Sequence, residues 1–395
     1  MRQDALRTDP EDYPPGNAEP GPPKADQHLL PESVEPLDPQ KFENVLQVGG
    51  IRTGALDQPN PNGGQSCRVA FVDTGGGLRF TVAVDRGGDV VEASCNGMNL
   101  AYLTPNDYTP PSHAYNRRNE WLSSWPGGLI TTCGPSLMGE SRNEDGRDVP
   151  LHGHHSNTPA SIDAVVNPDP SRGRFDMSIS MTIRDTRMFG PNIEVRRTIS
   201  AVLGGRSIQF ADEVINRGDE PCSHGMLYHL NFGYPLLDEG ARLILGGRVC
   251  QRFGLAEELT GADQIECFKV VPAPSQDHRG TAESILIVEP SVAEPEPCRV
   301  GLINEFRGIG VEVAYPLPQL PRLGGMLHCG PRGSYMAALE PFSGSIVGKA
   351  ADPHPESNRQ LAPGASQKYD LRITVHTDPK SLEALSRHDY PLVVG

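Results

Sequence analysis

The chain has 395 residues, 37% of them apolar, which is enough for one large domain or two average ones. Its 43 Gly and 38 Pro argue against long helices, and a formal charge of −15 excludes nucleic acid and anionic membranes as expected partners. The eight Cys form no C-x-x-C pair, which excludes zinc-ribbon and dithiol redox chemistry and predicts reduced thiols in a cytoplasmic protein.

Residues 1–41 are rich in Pro, Asp and Glu and nearly free of β-branched side chains. Such a segment buries too little apolar surface to offset its ordering entropy, which predicts a disordered or loosely packed acidic arm ahead of a single domain over residues 42–395. The opening residues lack the basic and then apolar blocks of a secretion signal, and no run approaches about 18 consecutive apolar residues. Strand signals begin at residues 68–73 and 78–84, joined across Thr74-Gly75-Gly76-Gly77, and a short strand is predicted at 90–93. Residues 100–158 have almost no periodicity, yet carry both tryptophans, Trp121 and Trp125, and a histidine-rich loop. A structureless stretch of that length inside a domain is usually functional. Phe175, Met177, Ile179, Met181 and Ile183 then alternate with polar residues, and 192–200 and 206–215 continue the pattern. Three such strands in series predict an antiparallel meander. Residues 243–297 read as irregular, with a weak strand at 284–289. Further strands are expected at 310–315 and 334–340, a last strand at 370–376, and a short helix from the Asp378-Pro379 cap to Arg387.

Three stretches hold candidate chemistry. Residues 149–160 read VPLHGHHSNTPA and place His152, His154 and His155 within four positions. The cluster fits metal ligation, with Glu340 or His229 completing the shell, and equally fits hydrogen bonding to a polar ligand. In Met226-Leu-Tyr-His-Leu-Asn-Phe, His229 is a proton donor flanked by Tyr228, Asn231 and Phe232, flat walls suited to a sugar ring. Glu340 ends an apolar strand, where partial desolvation raises a carboxyl toward the range of a general base. Arg86, Arg117 and Arg118 fit two roles, structural partner or ligand clamp. For His229 and Glu340 the structural alternatives are a core histidine bonded to a carbonyl and a strand-end carboxylate paired with Arg.

These motifs, in this order, resemble the aldose 1-epimerase (galactose mutarotase-like) superfamily, and a branch of it described mostly as domains of unknown function. The marks are WPGGLITTCG at 125–134, His152-Gly153, His229 ahead of Asn231-Phe232, and Leu339-Glu340-Pro341 ahead of a closing strand. The resemblance implies a mostly β fold: a large antiparallel β-sandwich, the galactose mutarotase-like supersandwich, with few short helices. It implies an isomerase that interconverts the anomers of a monosaccharide or sugar derivative with no metal and no cofactor. Carried over motif by motif, His229 is the general acid on the ring oxygen, Glu340 the general base on the anomeric hydroxyl, and His152 orients the substrate. His154, Asn231, Arg86, Arg118, Trp125 and Tyr228 are the expected substrate-binding residues around them. The HGHH stretch departs from the main pattern and keeps two alternatives open, a metal-dependent sugar isomerase or lyase and a non-catalytic sugar-binding protein.

Overall fold

Alternation of side chains decides the architecture. Along the strand Asp176–Thr186, Met177, Ile179, Met181 and Ile183 are buried and their neighbours are not. Such a strand needs a second layer on one face only. A computed structural model describes residues 38–57, 66–144, 146–292 and 297–394. The arm expected over residues 1–41 falls outside them as far as residue 37; residues 38–41 form one turn whose Asp38 side chain accepts from the Gln40 amide.

Two largely antiparallel sheets enclose the core. The eight-stranded sheet contains the expected meander: Ala160–Val166, Asp176–Thr186, Asn192–Val202 and Ser207–Asn216 lie side by side, followed by Ser366–His376, Ile309–Tyr315, Cys298–Asn304 and Arg242–Ile244. The other sheet has twelve strands. The inward faces of both supply one continuous apolar cluster, including Phe210, Tyr228, Leu302, Leu339 and Tyr369. This is the mostly β sandwich with few helices that the sequence implies. Two α-helices occur among the described residues, Ala262–Cys267 and Pro379–Ser386, and neither is long and apolar enough to cross a membrane. The Asp378 side chain caps the second by accepting from the amides of Lys380 and Ser381. All eight cysteines are free, six of them buried.

Two expectations need correction, and a strand that matters to the site is unforeseen. The strand at 370–376 is not the last, because Leu392–Val394 returns after the helix and pairs, in parallel, with Gly247–Gly254. Residues 243–297 are less irregular than their composition implies, since Gly247–Gly254 is a full strand with a register shift between Val249 and Gln251. The strand Arg322–Cys329 escapes sequence reading altogether; Gly324-Gly325 at its centre looks like a turn.

Five adjacent strands of the large sheet carry the site. They are β1 (Ile130–Cys133), β2 (Met226–Phe232), β3 (Ser284–Pro290), β4 (Arg322–Cys329) and β5 (Tyr335–Ser343), and their spatial order is β1-β2-β5-β4-β3.

Candidate functional site

On β2, Met226, Tyr228, Leu230 and Phe232 point into the core between the sheets. Period two therefore sends Leu227, His229 and Asn231 to the other face. On that face one row of side chains crosses the sheet. Thr131 of β1 sits opposite His229, Glu340 of β5 sits opposite Gly324 of β4, and Gly324 sits opposite Ile287 of β3. His229 and Glu340 meet in this row, with Nε2 of His229 3.6 Å from Oε1 of Glu340. That is longer than a hydrogen bond and within reach of one atom bridging them. Gly324 is what gives Glu340 its room, for a Cβ there would stand 3.1 Å from the Glu340 Cβ and 3.4 Å from Oε2.

The flanking row is apolar. Met326 and Ala338 lie opposite one another, and with Met336, Trp121 and Trp125 they form a separate cluster on this face. The two indoles stack at 4.9 Å between centroids and 21° between planes. Each is fixed by its N–H, Trp121 donating to the Ser156 hydroxyl at 2.8 Å and Trp125 to the Thr131 hydroxyl at 2.9 Å. Buried indoles without such partners would be unfavourable here.

His152 reaches the same place from the HG loop. Its ring is edge-on to Trp121 at 4.6 Å and to His229 at 5.4 Å. The backbone holds it at φ +61°, a left-handed conformation that costs a non-glycine residue about 1 kcal/mol or more. Three contacts fix that strain. The His152 amide donates to Gly139 O, its carbonyl accepts from Gly134 N, and Gly153 packs against Leu137 O too closely for a side chain. Nδ1 of His152, Nδ1 of His229 and Oδ1 of Asn231 are buried with no hydrogen-bond partner among the described residues. Each such group costs about 1–3 kcal/mol, and several within one patch mark a place where a ligand would supply partners.

Burial sets the protonation of the site. It pushes His152 down to about 3 and His229 down to about 4, and lifts Glu340 to about 7. At neutral pH both imidazoles are therefore neutral, and the carboxyl is poised to take or give a proton. Glu283, just ahead of β3, is also raised, first by burial and then by the charge of Glu340.

Of the other expected residues only Asn231 shares this face. Tyr228 faces the core and donates to Asp212 at 2.6 Å, so with 0% exposure it offers a ligand nothing. Phe232 is likewise a core residue. Asn231 lies on the site face, but its amide nitrogen is used by the carbonyls of Gly128 and His229. Arg86 is 1% exposed and clamps loops, donating to Asn157 at 2.9 Å and to Ser124 at 3.4 Å; it cannot grip a sugar from there. Arg118 has an exposed side chain and contributes through its backbone, its carbonyl accepting from Leu151 N beside His152. The HGHH imidazoles do not converge on one point. His154 turns away to Asp185 and Arg187, and His155 lies 3.0 Å from Gly87 O. Sequence reasoning missed Thr131, Met326, Met336 and Glu283. Counting back in twos from Glu340 would have put Met336 on its face; nothing in the sequence ties Thr131 or Met326 to it.

The fold that carries this arrangement is that of the galactose mutarotase-like proteins. A Klebsiella pneumoniae protein provisionally named an aldose 1-epimerase superposes with a TM-score of 0.74 at 20% identity, over 87% of this chain and 90% of that one. A galactose mutarotase-like protein from Clostridium acetobutylicum gives 0.55 at 11% identity, over 83% and 99%. No curated protein matches the sequence. By sequence the chain belongs to the family described as Domain of unknown function (DUF4432), which matches residues 64–375.

Proposed function

We propose that this protein interconverts the anomers of a free sugar by general acid/base catalysis at His229 and Glu340. The observation that carries the reading is the buried pair itself. Two proton-transfer groups 111 positions apart in sequence come within 3.6 Å beside a wall of stacked indoles. Opening a hemiacetal requires one proton to leave the anomeric hydroxyl and one to reach the ring oxygen, with no redox step. The step runs through the form in which the pair's single proton has passed from the Glu340 carboxyl to His229: the carboxylate takes the first proton and the imidazolium gives the second, and rotation of the aldehyde and reclosure return both. The reacting pair thus holds one proton in all, and Glu340 near neutrality suits exchange in both directions. His152 orients the substrate, and the Trp121–Trp125 wall packs against the apolar face of the ring.

The test is polarimetry or exchange NMR across free aldoses, deoxy sugars and uronic acids. Glu340→Gln keeps the shape and removes the base, so interconversion should fall by about two to four orders of magnitude, and His229→Asn should do likewise. The double variant should lose less than the product of the two factors, because acid and base act as a unit. Wild-type protein that binds sugars and turns none over would leave a sugar-binding module instead.

A further inference from the structure

We infer that the protein has a second carbohydrate site, on the other side of the HG loop from His152, that takes a neutral, hydroxyl-rich mono- or disaccharide. The starting point is His154. Two residues after His152, it lines a separate cavity of about 310 Å3 that neither His229 nor Glu340 borders. That volume is at the lower end of the range of small-molecule sites, about 300–1,000 Å3.

The chemistry of the lining selects the ligand. The His154 ring bridges two other lining residues, with Nε2 2.9 Å from a guanidinium nitrogen of Arg187 and Nδ1 3.4 Å from Asp185. Arg187 can only donate, so Nε2 accepts and the Nδ1 proton faces the carboxylate. The bridge sets a cation and an anion side by side at one end of the lining. Asp148 and Glu144 add two more carboxylates, offset by Lys349 in the lining and by Arg142, which donates to Glu144 at 2.6 Å. Among the described residues, these three acids stand against three bases, a balance that favours neither an anion nor a cation. What such walls match is a group that donates and accepts at once. A sugar hydroxyl does both, and neighbouring hydroxyls span a carboxylate and a guanidinium. Ser136, Ser223 and Gln360 add further polar contacts, while Pro150, Pro191 and Pro221 supply rigid apolar surface for C–H faces.

The HG loop is the shared wall. Gly134 and Gly153 form a bridge, and the amides of His154 and His155 both donate to Gly134 O. This holds His152 toward His229 and His154 toward the cavity without either crossing over.

The experiment is calorimetric titration of the full chain with D-glucose, D-galactose and lactose, alongside ligand-detected NMR. Wild-type, Arg187→Ala, Asp185→Asn and Glu340→Gln proteins are compared. We expect two sugar sites per chain, both retained in Glu340→Gln. Arg187→Ala and Asp185→Asn should each weaken one site by about tenfold or more, the loss of a charge-assisted hydrogen bond, and leave anomer interconversion unchanged. A single site in the wild type, two unchanged sites in both cavity variants, or cavity binding of glucose 6-phosphate or glycine in preference to these sugars would each overturn the inference. Its failure is distinguishable from failure of the catalytic proposal: a chain that interconverts anomers but has one sugar site refutes only the second site.

Discussion

His229 and Glu340 are shifted in opposite directions by one cause, the loss of water around them. A neutral imidazole and a neutral carboxyl are what burial favours, and the proposed anomer interconversion asks the pair to hold a single proton. That proton is present between the two limits, about 4 for His229 and about 7 for Glu340. We therefore expect kcat/KM for anomer interconversion to be flat between about pH 4 and pH 7, after correction for the uncatalysed rate. It should fall tenfold per unit above and below. A profile still rising at pH 8 would contradict this assignment. The same shift has a stability signature. Glu340 binds its proton more tightly folded than unfolded, so it destabilises the fold increasingly as pH rises from 4.5 to about 7. Glu340→Gln removes that term. Measured by thermal unfolding, the variant should gain on the wild type between pH 4.5 and pH 8, with an upper bound of about 1.4 kcal/mol per pKa unit. Which residues of β2 point to the site was not legible at this scale. All seven are buried, so no polar–apolar alternation reveals that His229 looks one way and Tyr228 the other.

At the scale of elements, adjacent glycines in β4 do different jobs on different faces. Gly324 sits beneath Glu340 on the site face, while Gly325 faces the core, where a Cβ would be 3.3 Å from Phe268 and 3.8 Å from Leu245. A methyl at 324 must push Glu340 by a few tenths of an ångström; a methyl at 325 must push the core. Gly324→Ala should therefore cost activity, by about tenfold or more, with little change in melting temperature. Gly325→Ala should cost stability, about 1–3 kcal/mol, with activity per folded molecule kept. Equal losses of both properties in both variants would show that β4 does not position Glu340. This strand also explains the limit of sequence reading. The meander was legible because one face of each strand is wet. The site strands are covered on both faces, and the Gly-Gly that mimics a turn is needed for a carboxylate above and an aromatic ring below.

Across the whole molecule, the two sheets are joined behind the site by a buried ionic network around Arg197, a residue of the smaller sheet. Its guanidinium binds Asp212 through two nitrogens at 2.7 and 2.9 Å, Asp89 at 3.0 Å, the Thr132 hydroxyl at 2.7 Å and the carbonyl of Gly87 at 3.0 Å. Tyr228 donates to the same Asp212, and Asp89 also accepts from the Thr132 amide. Thr132 and Tyr228 are the chain neighbours of Thr131 and His229. The network thus pins the strands that present Thr131 and His229, from the core side of the sheet. Replacing Arg197 by Met keeps most of the volume but leaves two buried carboxylates without a cation, which should cost about 3–5 kcal/mol. The loss should depend on pH in a defined sense. Burial already lifts Asp89 to about 6 with Arg197 in place, and removing the cation lifts it further. A carboxyl raised in the folded state holds protons that the unfolded chain releases, so stability falls as pH climbs through that window. Arg197→Met should accordingly lie closest to wild type near pH 5 and lose most at pH 8, as read by thermal unfolding of both proteins across that range. A deficit independent of pH would mean that lost packing against Phe210, not stranded charge, is what the substitution measures.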